Sequence, residues 1–159
     1  MKRRQAREYA LQFLYRLDFI DIPEGGTSSG LDSSLQKDLE GFWKEGEDSD
    51  PEVRAFAEDL VLGTVRNLET LDALLQKVTE KWKLSRMASI DRNILRFATY
   101  EILFRRDIPH AVSINEAIEI AKKYSTAESA AFINGILDRI AREHGAKNGA
   151  EPEKKDRQK

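Results

Sequence analysis

Residues 86–105 read RMASIDRNILRFATYEILFR. Met87, Ile90, Ile94, Leu95, Phe97, Ala98, Ile102, Leu103 and Phe104 recur with a helical period, yet they occupy more than one side of the helix. A surface helix shows a single apolar stripe. One that is apolar around much of its girth is covered by others. The stretch therefore predicts a central helix in a helical bundle. Glu101 projects into the apolar arc of Ile90, Ile94 and Ala98, where a carboxylate needs donors because an unpaired buried charge is costly. It reads as a link between helices, with a functional role as the alternative.

The pattern continues in both directions. Asp107-Ile108-Pro109 stops the central helix. Ser113-Ile114-Asn115-Glu116 reads as a capping box opening the next one, with Ile114, Ala117, Ile118 and Ala121 as its buried stripe. A last helix starts near Ser125 or Thr126 and buries Ile133, Ile136, Leu137 and Ile140; Ser125-Thr126-Ala127-Glu128 reads as its capping box. Toward the N-terminus, Leu68, Leu71, Leu74, Leu75 and Val78 define a helix reaching Trp82, preceded by a break near Asn67. Asp50-Pro51-Glu52 is a helix start, with a capping side chain, a first-turn proline and an acid at the positive end of the dipole; Val53, Phe56, Ala57, Leu60, Val61 and Val65 follow in register.

The first helix carries Ala6, Tyr9, Ala10, Phe13, Leu14, Leu17 and Ile20 on one face, and Pro23 with Gly25 to Gly30 breaks it. Residues 21–50 form an acidic, loop-rich region holding a weak helix over about 32–45 that ends near Gly46. No segment alternates with period two, so the fold is all-α with about seven helices. Residues 1–144 make one helical domain. Residues 145–159 lack apolar periodicity and read as a disordered charged tail.

The chain has 159 residues, 40% hydrophobic and 34% charged, which suits a single core. It contains no cysteine, and this excludes disulfides, thiolate metal sites and a cysteine nucleophile. No run is long enough to span a membrane, and Met1-Lys2-Arg3-Arg4-Gln5 leads into Ala6-Arg7-Glu8 rather than an apolar core, so a cytoplasmic protein is expected. The net charge of −2 conceals an asymmetry. Residues 21–59 hold twelve acids against three bases, a net −9, and the rest holds 23 bases against 16 acids, a net +7. Local fields rather than totals attract polyanions, and Lys2, Arg3, Arg4 and Arg7 cluster with no acid before Glu8.

No phosphate-binding glycine loop and no nucleophile elbow occur. His110 and His144 lack partners at ligand spacing and read as surface histidines. No catalytic residue, metal or cofactor is expected, and the chain is read as a non-enzyme. On the first helix Arg4, Glu8, Leu11, Tyr15 and Asp18 lie away from the core stripe. Outward Leu11 and Tyr15 imply contact with either another helix or a partner. A basic arm on an ordered helix is either solvated or holds single-stranded nucleic acid, with charge for phosphates and rings for bases. Glu128 and Phe132 share a face of the last helix, Phe132 at the margin of its core stripe.

Four blocks carry a resemblance: Ala6-Arg7-Glu8-Tyr9-Ala10-Leu11-Gln12-Phe13-Leu14-Tyr15, Ile94-Leu95-Arg96-Phe97-Ala98-Thr99-Tyr100-Glu101-Ile102, Ile114-Asn115-Glu116-Ala117-Ile118-Glu119-Ile120-Ala121-Lys122 and Phe132-Ile133-Asn134-Gly135-Ile136-Leu137-Asp138. Together, over roughly residues 3–140, the chain resembles the NusB family of bacterial transcription antitermination factors. The resemblance implies a NusB-like fold of two packed helical subbundles and no enzymatic activity. It implies binding of boxA-type single-stranded RNA in nascent ribosomal RNA transcripts together with the small-subunit ribosomal protein NusE. It further implies an antitermination complex with NusA and NusG on RNA polymerase. By motif position Arg3, Arg4 and Arg7 match phosphate-contacting arginines, and Arg96 and Lys122 extend that basic face. Phe132 matches the ring on which a base packs, and Glu128 an acid beside the RNA. Tyr15 and Asp91 fall where NusE docks, and Leu11 belongs with them unless it serves a homodimer or another helix. Gln5 interrupts the arginine cluster, and Ala130 and Ala131 stand where polar side chains would assist RNA. The rival reading is a helical protein-interaction adaptor without specific RNA binding.

Overall fold

Asp50 caps a helix as its sequence context requires: its carboxylate accepts the Glu52 N–H at 2.9 Å, and Pro51 takes the first helical position. The computed structural model describes residues 2–18, 28–45, 50–79 and 83–145. Among these the helices are α1 (Lys2–Leu17), α2 (Ser28–Glu45), α3 (Pro51–Arg66), α4 (Leu68–Thr79), α5 (Ser89–Phe104), α6 (His110–Tyr124) and α7 (Ala127–Ile140). A 3₁₀ turn (Leu84–Arg86) precedes α5, and a π-helical turn (Ala141–Gly145) follows α7. The described residues contain no strand. The chain divides into two compact units, Met1–Leu68 and Glu69–Lys159.

In the first unit α1 and α2 both pack on α3. Ala6 and Ala10 of α1 and Ala57 of α3 are buried, and such small side chains let two helices approach closely. Asn67 ends α3 by donating its side-chain amide to the Gly63 carbonyl at 2.8 Å. Helix α2 begins about four residues before the expected start and fills most of the stretch expected to be loop-rich. Leu35, Leu39 and Trp43 recur every four residues and are all buried, a stripe that outweighs the acidic composition around it. The Trp43 indole N–H donates to Glu58 at 2.7 Å. Tyr9, Phe13, Phe42 and Trp43 form edge-to-face pairs with centroids 5.1–6.1 Å apart. The expected breaks at Pro23, Gly25 and Gly46, and the core position Ile20, lie outside the described residues.

In the second unit α5 is central, as its apolar girth requires. Ile94, Leu95, Phe97, Ala98 and Ile102 are buried, with α6 and α7 packed on α5 and on each other. Polar side chains tie in the connections. The Arg92 guanidinium donates to the carbonyls of Leu84, Ser85 and Met87 at 3.2–3.4 Å. The Gln76 side chain accepts the Leu84 N–H at 3.0 Å, and Arg139 donates to the Val78 carbonyl at 3.1 Å.

Three local readings are corrected in this unit. Helix α6 starts at His110, with Pro109 as its cap residue, so Ser113 is not a capping residue and its box with Glu116 does not form. Ser113 instead donates its hydroxyl at 2.8 Å to Glu101, which is 0% exposed; the link expected of Glu101 exists, and a helix-borne hydroxyl makes it. Helix α7 is capped one residue later than the box requires: Thr126 accepts the Ser129 N–H at 2.9 Å, leaving Glu128 exposed at the second helical position. His110 is half-buried rather than on the surface, with its ring so close to Gly145 that a Cβ there would lie 2.5 Å from a ring carbon. Gly145 is thus part of the folded unit; the tail expected beyond it and Trp82 fall outside the described residues.

Candidate nucleic-acid interface

Helix α1 presents its arginines in two ways. Arg3 is exposed and Arg4 half-buried. Arg7 is only 2% exposed, and its guanidinium stands over the Phe56 ring at 5.1 Å, with that of Arg3 over the same ring at 4.7 Å. A cation over an aromatic face is attracted by the ring quadrupole, more strongly when desolvated. Arg7, expected among the phosphate-contacting arginines, packs α1 onto α3 where it lies. Lys2 is exposed and pairs with Asp50 and Glu52 at 3.3 and 3.2 Å, and these carboxylates hold its ammonium above the ordinary lysine value. Asp50 is lowered, chiefly because it accepts the Glu52 backbone N–H.

Of the two settings expected for Leu11, another helix or a partner, its burial fits the first. At 4% exposure it belongs to the core, whereas Tyr15, one turn later, is 41% exposed as expected. The buried face of α1 (Ala6, Arg7, Ala10, Leu11, Phe13 and Leu14) is displaced from the stripe that Tyr9 and Leu17 suggested.

The other candidates lie on the second unit. Arg96 forms a fork with Asp72, Nε and Nη2 each donating to a carboxylate oxygen at 2.8 Å, while Nη1 donates to Asn93 at 3.1 Å. Expected to extend the basic face, it has a side chain only 13% exposed and joins α4 to α5. Lys122 is exposed near the end of α6, 3.5 Å from Glu119. Phe132 is half-buried on α7, at the margin of the stripe formed by Ile133, Ile136 and Ile140, and Glu128 is exposed one turn before it. Asp91 lies in the first turn of α5, where the helix dipole favours an acid.

One relevant residue was not foreseen. Ser129 donates its hydroxyl to Asp91 at 2.9 Å, joining the first turns of α7 and α5. The only local signal for it is its place between Glu128 and Phe132. Among the described residues no three His, Asp or Glu side chains gather as a metal site, and no helix is long and apolar enough to cross a membrane.

Comparison with known proteins gives this arrangement its context. The NusB family model matches residues 4–142. The chain belongs to the NusB family. A curated relative, the transcription antitermination protein NusB of Thermodesulfovibrio yellowstonii, is 51% identical over 144 residues, covering 90% of this chain and 93% of that one. The solved structure of T. maritima NusB is 41% identical with a TM-score of 0.73, covering 91% and 94%. A crystal structure of antitermination factors NusB and NusE in complex with dsRNA includes a chain 24% identical with a TM-score of 0.65, covering 89% and 96%; at that identity the likeness is one of fold. The expected all-helical architecture and family are thereby established.

Proposed function

We propose that this chain is a cytoplasmic, non-catalytic transcription antitermination factor. It binds boxA-type single-stranded RNA in nascent ribosomal RNA transcripts, together with NusE, within a complex containing NusA, NusG and RNA polymerase. Family membership with nearly full-length coverage carries the reading.

The side chains suit these tasks. Arg3, Arg4 and Lys122 supply charge for phosphates. Phe132 keeps part of its ring open for a base, with Glu128 one turn away to disfavour phosphate beside it. Single strands are recognised through unstacked bases on aromatic faces while cations hold the backbone. Exposed Tyr15 and the α5 turn bearing Asp91 meet NusE. Arg7, Arg96 and Leu11 hold the fold beneath these surfaces.

The test is fluorescence anisotropy of a labelled boxA-type RNA against a scrambled RNA of equal composition, with and without purified NusE. Tighter binding of boxA, strengthened by NusE, is expected. Equal binding of both RNAs, indifferent to NusE, would replace this reading with that of a protein-only adaptor.

A further inference from the structure

The geometry points to Ser129 as a positioning residue that couples the partner-facing turn of α5 to the RNA-facing turn of α7. The inference rests on the functional reading above and adds to it a route by which one ligand alters the other's affinity. The Ser129 hydroxyl donates to one Asp91 oxygen at 2.9 Å, and the other Asp91 oxygen is buried with no hydrogen-bond partner among the described residues. The carboxylate thus leans heavily on this one hydroxyl.

Ser129 is itself held at the third position of α7, because Thr126 accepts its backbone N–H at 2.9 Å. The cap fixes the main chain from which the Ser129 side chain projects, and the bond to Asp91 sets its rotamer, so the two bonds together tie the first turn of α7 to that of α5. That turn carries Glu128 one residue before Ser129 and Phe132 three residues after it, on neighbouring positions of the helix surface. A partner cation drawn to Asp91 competes with the hydroxyl for the same carboxylate and shifts the setting of Phe132. Coupling between two binding sites is reciprocal, so RNA on Phe132 changes the readiness of Asp91 for the partner by the same factor.

The test measures the factor by which saturating NusE tightens binding of a boxA-type RNA, for the wild-type chain, Ser129→Ala and Ser129→Thr. Ser129→Ala is expected to keep the RNA affinity of the free chain and its NusE affinity within about twofold, and to cut the tightening factor about fivefold, within the usual range of site-to-site coupling. Ser129→Thr keeps the hydroxyl and restores the factor. Thermal melts of each variant, with Asp91→Ala as a second break of the same bond, separate coupling from loss of fold.

A tightening factor within twofold of wild type in both Ser129→Ala and Asp91→Ala, each measured at saturating NusE, overturns the coupling role while leaving the functional reading intact. So does a loss of free-chain RNA affinity in Ser129→Ala as large as that in Phe132→Ala, which makes Ser129 a direct contact. A wild-type chain whose RNA affinity NusE does not alter overturns both.

Discussion

Replacing Arg96 with alanine separates a structural arginine from an RNA-binding one. Arg96 makes two hydrogen bonds of 2.8 Å to Asp72 and one of 3.1 Å to Asn93. A single charge-assisted hydrogen bond is worth about 1.5–3 kcal/mol, and breaking a fully buried pair costs about 3–5 kcal/mol. Asp72 is 30% exposed, so water repays part of its lost partner and the lower range applies. We expect Arg96→Ala to lose about 2 kcal/mol, a fall in Tm of about 4–8 °C for a chain of this size. A double-mutant cycle with Asp72→Ala should return a coupling of about 1–2 kcal/mol, because contacting charged residues are not additive.

Circular dichroism during urea unfolding reads the first quantity, and RNA binding across a salt series reads the role. A domain stable by 5 kcal/mol or more stays about 99% folded after such a loss, so RNA affinity near neutral pH is not lowered by unfolding. If Arg96 is structural, the salt slope of RNA binding stays unchanged. If it contacts a phosphate, the slope falls by about 0.7. An unfolding curve superimposed on wild type together with that fall in slope would refute the assignment.

Arg7→Ala should destabilise the first unit by about 2 kcal/mol through loss of a desolvated cation–π contact and stem packing, with the salt slope retained, whereas Lys122→Ala should lower the slope with little change in urea midpoint. The folded-state value of Asp50 is lowered, so its contribution is present above the ordinary aspartate value of about 3.9 and is lost as the pH falls through the folded value; wild type should lose more stability between pH 6 and pH 3 than Asp50→Asn, and equal losses would count against the lowered value.

The helices were legible because their cores are periodic, and α5 stood out because it is apolar on several sides. The N-cap at Asp50 and the stop at Asn67 were legible because each is made within four residues of sequence. Ser113 was misread because two sources compete for its hydroxyl. Local sequence offers the backbone of a new helix, and the fold offers the buried carboxylate of Glu101, which needs a donor more. Leu11 and Arg7 were misplaced for a related reason. The buried alanines at positions 6, 10 and 57 draw α3 close to α1, and Phe56 supplies a ring on which a guanidinium can lie, so the buried face widens to admit an arginine. That ring is about fifty residues away in sequence. The exposure of Tyr15 and Glu128 and the marginal position of Phe132 were legible in sequence; the burial of an arginine was not, because its partner lay on another helix.

Counting cations therefore overstates what this chain can offer to RNA. Arg7 is held by Phe56, Arg96 by Asp72, Arg92 by the carbonyls of the turn before α5, and Arg139 by the end of α4. Each satisfies a need of the fold, and withdrawing it would expose an acid, a ring or a helix end. Of the positions assigned to RNA, Arg3, Arg4 and Lys122 keep their charge nearer the surface. Three phosphate contacts on a single strand give a salt slope of only about −2, too shallow for charge alone to select one RNA at cellular salt. On the proposed reading, selectivity then comes from the half-open ring of Phe132 and from the protein partner. A measured slope near −5 would show instead that the arginines held by the fold are released when RNA binds, with α1 shifting off Phe56 to free Arg7.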